Sequence, residues 1–301
     1  MRLATINTPR GLRLHVRGRV GYVDVAEATG NPELSSLQVL LQRGPQVLNS
    51  LGPLQQHDGD HYALTQFGPT VPGPGLILCL GLNYREHALE GHGEVPRWPE
   101  VFMRAATTVL APYADLVKPA LSSQFDYEGE LGIVVGSGGR YISAETAMSA
   151  VAGFVVLNDA SARDWQRAAT QWEAGKNFDG TMPMGPELVT PDEVDVTDIK
   201  VTTALNGHIV QSARTSDMIL DISSIIEFCS SFVTLQPGDV IATGTPAGVG
   251  FARQPPVWLQ PEDLIEVSIE GIGTIRNKIV VEEDGPAHWR WMPKLKETPF
   301  L

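Results

Sequence analysis

The stretch "DYEGELGIVVG", Asp126 to Gly136, puts three carboxylates within five residues, directly before an apolar run. The run of Leu131, Ile133, Val134 and Val135 suits a strand buried on both faces. Residues two apart on a strand project to one face, so Glu128 and Glu130 point together, and Gly129 leaves the opposite face open. Two like charges that close repel in a partly dry site. Either one takes a proton or a cation sits between them. A later run, "GFVVLND", ends at Asp159. Three carboxylates with no Cys or His nearby make a hard oxygen site, suited to Mg²⁺, Mn²⁺ or Ca²⁺ over Zn²⁺. From spacing alone, a solvated strand edge with both acids in water is the commoner outcome.

Outward from this stretch, hairpins recur and helices are few. "LRLHVRGRVGYVDV" reads as a hairpin reversing at Gly18 and Gly21, and "NPELSSLQVLLQRG" as a short helix closing at Gly44. The break "TVPGPG" at 70–75 separates a small unit, 1–70, from a larger one, 71–301. Beyond it, "LILCLGL", "LGIVVG" and "VAGFVVLND" are strand candidates, with a helix expected in "SAETAMSAV". "IKVTTALNGHIVQSA" turns at Asn206-Gly207, "MILDISSIIEFCSSF" is amphipathic and helical, and "DLIEVSIEGIGTIRNKIVV" closes as a hairpin around Gly271 and Gly273. Regular strand–helix alternation, the mark of a doubly wound fold, is missing.

The chain has 301 residues, 43% of them apolar, which is enough for a real core. A formal charge of −13 without a basic stripe argues against a nucleic-acid partner. No apolar run reaches the ~20 residues of a membrane span. The N-terminus lacks a signal peptide, and Cys79 and Cys229 lie in apolar runs as buried thiols, so a cytoplasmic location is expected.

Two further clusters carry chemistry. In "NYREHALEG", Asn83 can cap a short helix, Gly91 can end it, and His92 lies just past it. His87 and Glu90 are then neighbours on one helix face, the arrangement of a base and the carboxylate that orients it. The plainer reading is a surface pair worth a few tenths of a kcal/mol. Lys176, in "EAGKNFDGTMPMGP", is either a desolvated cation facing a developing oxyanion or a loop lysine in water. "HDGDH" at 57–61 imitates a metal cluster but reads as an exposed loop. "TGTPAGVG" at 243–250 lacks the ending of a phosphate loop, though its amides and Thr245 could cradle a small carboxylate. No dinucleotide fingerprint or serine nucleophile elbow is present.

In order, "GLNYREHALE", "DYEGELGIVVG", "NDASARDWQ", "GKNFDGTMPMGP", "NGHIVQSARTSDMI", "LQPGDVIATGTPAGVG" and "VSIEGIGTIRN" resemble the fumarylacetoacetate hydrolase family over roughly 76–280. The resemblance implies a mixed, mainly β fold, a roll of layered sheets with few helices, beside a small N-terminal α+β domain. It implies a homodimer with Mg²⁺ or Mn²⁺ (Ca²⁺ as a substitute in crystals) on Glu128, Glu130 and Asp159. His87 and Glu90 fall on the pair that activates water, and Lys176 on the family's active-site lysine. Arg163, Gln166 and Thr245 fall on substrate-contacting positions. The expected reaction is hydrolysis of a C–C bond in a 2,4-dioxo acid such as an acylpyruvate. The alternative is decarboxylation of oxaloacetate, or isomerisation or hydration of an unsaturated 2-oxo acid, at the same site. A Schiff-base lyase on Lys176 is a metal-free rival. Arg104-Ala105, Asn177, Gly180 and Leu82 depart from the family pattern near the pocket, so they bear on which substrate is taken.

Overall fold

The computed structural model describes residues 1–92 and 94–283; the unit expected to run to 301 extends past them. The chain opens with a meander of β1 (Arg2–Thr8), β2 (Gly11–Arg17) and β3 (Tyr22–Asp24), then short helices α1 (Val25–Thr29), α2 (Leu37–Gln42) and α3 (Pro45–Ser50). Next come β4 (Ile77–Gly81), α4 (Arg85–His92), β5 (Glu100–Arg104), β6 (Val109–Leu110), β7 (Leu116–Lys118), β8 (Phe125–Asp126) and β9 (Gly129–Val135). β10 (Val151–Asn158), β11 (Ser161–Ala162), α5 (Arg163–Gln166), α6 (Glu173–Lys176) and β12 (Met182–Val189) follow. The described chain closes with β13 (Lys200–Leu205), β14 (His208–Arg214), α7 (Ile222–Phe232), β15 (Val240–Ala242), β16 (Leu264–Ile269) and β17 (Gly273–Val281).

One ten-stranded sheet runs β3-β2-β1-β12-β10-β9-β15-β4-β5, with β6 beside β12; a five-stranded sheet runs β14-β13-β16-β17-β7. The fold is mixed and mainly β, with layered sheets. β1 pairs with β12, so the N-terminal meander continues the large sheet instead of building its own.

Alternation along the central strands makes the layers. Val134, Val155, Leu157, Ile77, Cys79, Val240 and Ala242 face the helices of the N-terminal segment, where Leu37, Leu40, Leu41 and Leu48 cover them. Leu131, Ile133, Phe154, Val156, Leu78 and Ile241 face the second sheet and α7, meeting Val201, Val267, Ile225 and Ile226. Each strand residue points to the face opposite its neighbour's, so an unbroken apolar run fills both layers. Each fully buried aliphatic side chain contributes about 1.5–3 kcal/mol. β16, covered on one side only, alternates buried and half-buried residues.

The β13–β14 turn occurs as read, with Asn206 at φ 52° and Gly207 at φ 80°. These angles match a two-residue turn with both central residues left-handed. The helix expected in "SAETAMSAV" shrinks to a single 3₁₀ turn, Ala147–Ala150. There the Thr146 and Ser149 hydroxyls donate to the Ser143 and Thr146 carbonyls, offering the backbone an alternative to a longer helix. Gly129 does not face open space. A Cβ there would lie 2.2 Å from Thr203 Oγ1 and 2.9 Å from Val267 Cγ1, so glycine lets the second sheet approach the strand that carries the acids.

Candidate active site

β9 and β10 run antiparallel with Glu130 opposite Leu157 and Asn158 opposite Gly129. The pairing continues one step further, as the Asp159 amide donates to the Glu128 carbonyl at 2.8 Å. Directly opposed residues share a face. Glu128 and Asp159 are therefore cross-strand neighbours, with Glu130 one pleat along. All three are buried, and one ligand atom from each lies within 4.8 Å of the others. The solvated-edge reading of the E-x-E pair does not hold.

Cations meet two of the three acids. Lys176, at the end of α6, is 1% exposed and donates to Glu128 Oε2 at 2.5 Å and Asp159 Oδ2 at 2.6 Å. Its ammonium lies 4.9 Å from the centre of the Phe102 ring. Gly175 lets α6 reach this depth, since a Cβ there would strike Gln166 N at 2.4 Å. Arg163 places Nη2 2.6 Å from Glu128 Oε1 and donates through Nε to Asp126 Oδ2 at 2.8 Å. Burial presses the Glu128 carboxyl upward, but Arg163 and Lys176 outweigh it and hold it well below the usual carboxylate range. Burial likewise presses Lys176 down, and Asp159 and Glu128 more than restore it. An ammonium clamped between two carboxylates is a poor nucleophile, which argues against the Schiff-base lyase.

Glu130 differs. Among the described residues no Lys, Arg or His comes within ion-pair distance of it; the Gly244 amide donates to its Oε2 at 2.8 Å. Burial, then Asp159 and Glu128, raise its carboxyl well above the ordinary value. A hard divalent cation between these oxygens would relieve that repulsion, and the all-oxygen donor set fits one.

The His87–Glu90 pair stands beside this cluster. His87 Nδ1 lies 3.0 Å from Glu90 Oε1, and the Gly248 amide donates to the same carboxylate at 3.0 Å. A cavity of about 310 Å³ is lined by His87, Glu128, Glu130, Asp159, Arg163, Gln166, Lys176 and Thr245, with Glu90 behind His87. Gln166 accepts from Arg163 Nη1 at 2.9 Å. Thr245 Oγ1 donates to the Gly129 carbonyl at 3.0 Å and accepts from Gln211 Nε2 at 2.8 Å. The 243–250 loop amides do cradle carboxylates, but those of Glu130, Glu90 and Asp126, the protein's own. Asn83 is no simple helix cap: its amide nitrogen donates to the Leu220 and Thr243 carbonyls and its oxygen accepts from Leu220 N. It pins the approach to α4 against two distant segments. "HDGDH" lies on the surface, with Asp58 paired to Arg19.

Several contributors escaped the sequence reading. Asp126, the first acid of the opening stretch, accepts from Gly250 N at 2.7 Å, Phe251 N at 3.1 Å and Arg163 Nε, tying the strand to the cavity's far wall. Arg104, noted only as a departure, is buried against Asp159 and Thr181. Asn177 fastens that region, accepting from Ala105 N at 2.6 Å and donating to the Met103 carbonyl at 3.2 Å. Phe102, Trp172, Arg167 and Phe251 complete the cavity wall. The sequence offered a hint for three of these: Asp126 as the first acid of D-Y-E-G-E, and Arg104 and Asn177 as departures from the family pattern.

The C-terminal fumarylacetoacetate hydrolase family model matches residues 76–280. The human mitochondrial oxaloacetate tautomerase FAHD2A is 45% identical over 213 residues, 70% of this chain and 68% of that protein. A fumarylacetoacetate hydrolase from the psychrophile Exiguobacterium antarcticum superposes with a TM-score of 0.82 at 35% identity, covering 93% of this chain and 99% of that one. A 5-carboxymethyl-2-hydroxymuconate delta-isomerase from Mycobacterium smegmatis does so at 0.73 and 30%, covering 94% and 99%. No helix among the described residues is long and apolar enough to cross a membrane.

Proposed function

The chain belongs to the fumarylacetoacetate hydrolase family, and from that premise we propose that it catalyses metal-dependent keto–enol proton transfer on a small 2-oxo acid, with oxaloacetate the leading substrate. The observation that carries this reading is the convergence, on one cavity, of an acidic triad, a protonated lysine and a histidine oriented by a carboxylate.

Glu128, Glu130 and Asp159 would hold the cation, with Mg²⁺ or Mn²⁺ the proposed species. Bound there, it supplies Lewis-acid polarisation of a 2-oxo carboxylate. Arg163 and Gln166 orient the substrate carboxylate from α5, and Thr245 closes the opposite side. With Nδ1 engaged by Glu90, His87 offers its other ring nitrogen to the cavity and takes the proton from the carbon next to the carbonyl. The Lys176 ammonium donates to the oxygen on which negative charge develops. Returning a proton to that oxygen gives the enol; returning it to carbon gives the keto form. The relative's printed activity supports this reading over the C–C hydrolysis expected from the motifs.

Hydrolysis of a 2,4-dioxo acid is the second reading. Its support is the His87–Glu90 pair, equally able to activate water, and the printed name of the Exiguobacterium structure. The test is an assay with and without Mg²⁺ or Mn²⁺. Accelerated loss of the enol absorbance of oxaloacetate, with neither CO₂ nor acid fragments, supports tautomerisation. Two acid fragments from an acylpyruvate, with no effect on oxaloacetate, would replace it with hydrolysis.

A further inference from the structure

Three cationic side chains line the cavity, and they differ in what answers them. Lys176 is paired with Glu128 and Asp159, and Arg163 with Asp126 and Glu128. Arg167 lies within ion-pair distance of no carboxylate among the described residues. Its guanidinium carbon lies 4.3 Å from the centre of the Phe251 ring; that of Arg163 lies 4.6 Å from the same centre. The two arginines are one helical turn apart, the Arg167 amide donating to the Arg163 carbonyl at 3.0 Å. Like charges at this spacing repel one another on a helix, while the Phe251 ring attracts each guanidinium. Burial and then Arg163 press the Arg167 pKa down, with Asp126 only partly opposing them.

The Phe251 ring is not a chance surface. Asp126 accepts its amide at 3.1 Å and Arg163 Nε at 2.8 Å, so one buried carboxylate sets both the ring and the inner arginine. Arg163 reaches inward to Glu128 from this ring, while Arg167 remains on the solvent side of the same cavity wall. The lining charges also favour a diacid. The three acids of the triad balance Lys176, Arg163 and Arg167, so a divalent cation leaves the lined cavity two charges positive.

We propose that Arg167, presented on Phe251, binds a second carboxylate of the substrate and sets a preference for 2-oxo dicarboxylic acids over 2-oxo monocarboxylic acids. This rests on the reading of the cavity as a 2-oxo acid site. A guanidinium offers two parallel donors to a carboxylate, and Arg167 is exposed while lining the cavity, so its donors are open to a ligand there.

The experiment compares the Mn²⁺-loaded full chain with its Arg167→Gln and Arg167→Lys variants. Calorimetry with oxalate reads the inner subsite alone, and calorimetry with fresh oxaloacetate reads both. Arg167→Gln is expected to weaken oxaloacetate about 10- to 100-fold and oxalate less than twofold, with partial recovery in Arg167→Lys. KM for oxaloacetate should rise in the same ratio, and KM for phenylpyruvate should not. Equal losses for both ligands, loss for neither, or a wild type that binds neither would overturn the assignment. Arg167-dependent binding without any keto–enol exchange by the wild type would instead overturn the proposed reaction and leave this subsite standing.

Discussion

Glu90 holds His87 Nδ1 at 3.0 Å and the Gly248 amide at 3.0 Å, so one carboxylate joins the imidazole to the loop that also carries Thr245. The ring's tautomer and the loop's position are set together. His87→Asn should lower kcat by about 10²–10⁴ if the imidazole moves the proton. Glu90→Gln, which retains an acceptor but no charge, should cost less. Steady-state kinetics across pH checks both. An unchanged kcat in His87→Asn removes the histidine from the chemistry.

Glu130 faces two carboxylates, and among the described residues no cation lies within ion-pair distance of it. Glu130→Gln should leave the metal-free Tm unchanged or higher, because a like-charge contact disappears. It should also abolish the rise in Tm that Mn²⁺ gives the wild type, which at a hundredfold excess over Kd corresponds to about 2.7 kcal/mol. Thermal melts with and without Mn²⁺ decide it. A variant that keeps the full Mn²⁺ shift would remove Glu130 from the ligand set.

Arg104 is buried against Asp159, with its second nitrogen on Thr181. Arg104→Ala leaves Asp159 with Lys176 as its one cationic partner among the described residues and opens a void. Removing one member of a buried pair costs about 3–5 kcal/mol. Arg104→Lys should recover part of this, lacking the fork that reaches both Asp159 and Thr181. Urea unfolding of both variants measures the difference.

His15 lies buried in β2, its Nδ1 3.0 Å from the Arg13 carbonyl and its Nε2 3.1 Å from Tyr62 Oη. Burial lowers its pKa despite that carbonyl and Asp24, which both favour the charged ring. The folded chain therefore refuses a proton that the unfolded chain accepts below about pH 6.5. Stability should fall as pH drops through that value, with a limiting slope of about 1.4 kcal/mol per pH unit, and the effect should vanish above it. His15→Gln should flatten this part of the stability–pH curve. Identical curves for variant and wild type would show that the ring titrates freely in the fold.

Local pattern carried the main strands and the Asn206-Gly207 turn, because each has a short-range cause, whereas Arg163 and Gln166 were singled out only by the family resemblance. An apolar run long enough for two layers must be buried on both faces, and residues two apart must share a side. What pattern could not decide was distance across the chain. Arg104 and Asp159 are 55 residues apart, and Asp126 and Phe251 are 125 apart. Only the pairing of β9 with β10, and the packing of α5 and α6 over their ends, brings such groups together. The carboxylates were legible because one strand and its neighbour supply them. Their counter-charges were not, because a lone Arg or Lys in a sequence does not reveal which distant acid it will meet once water is excluded.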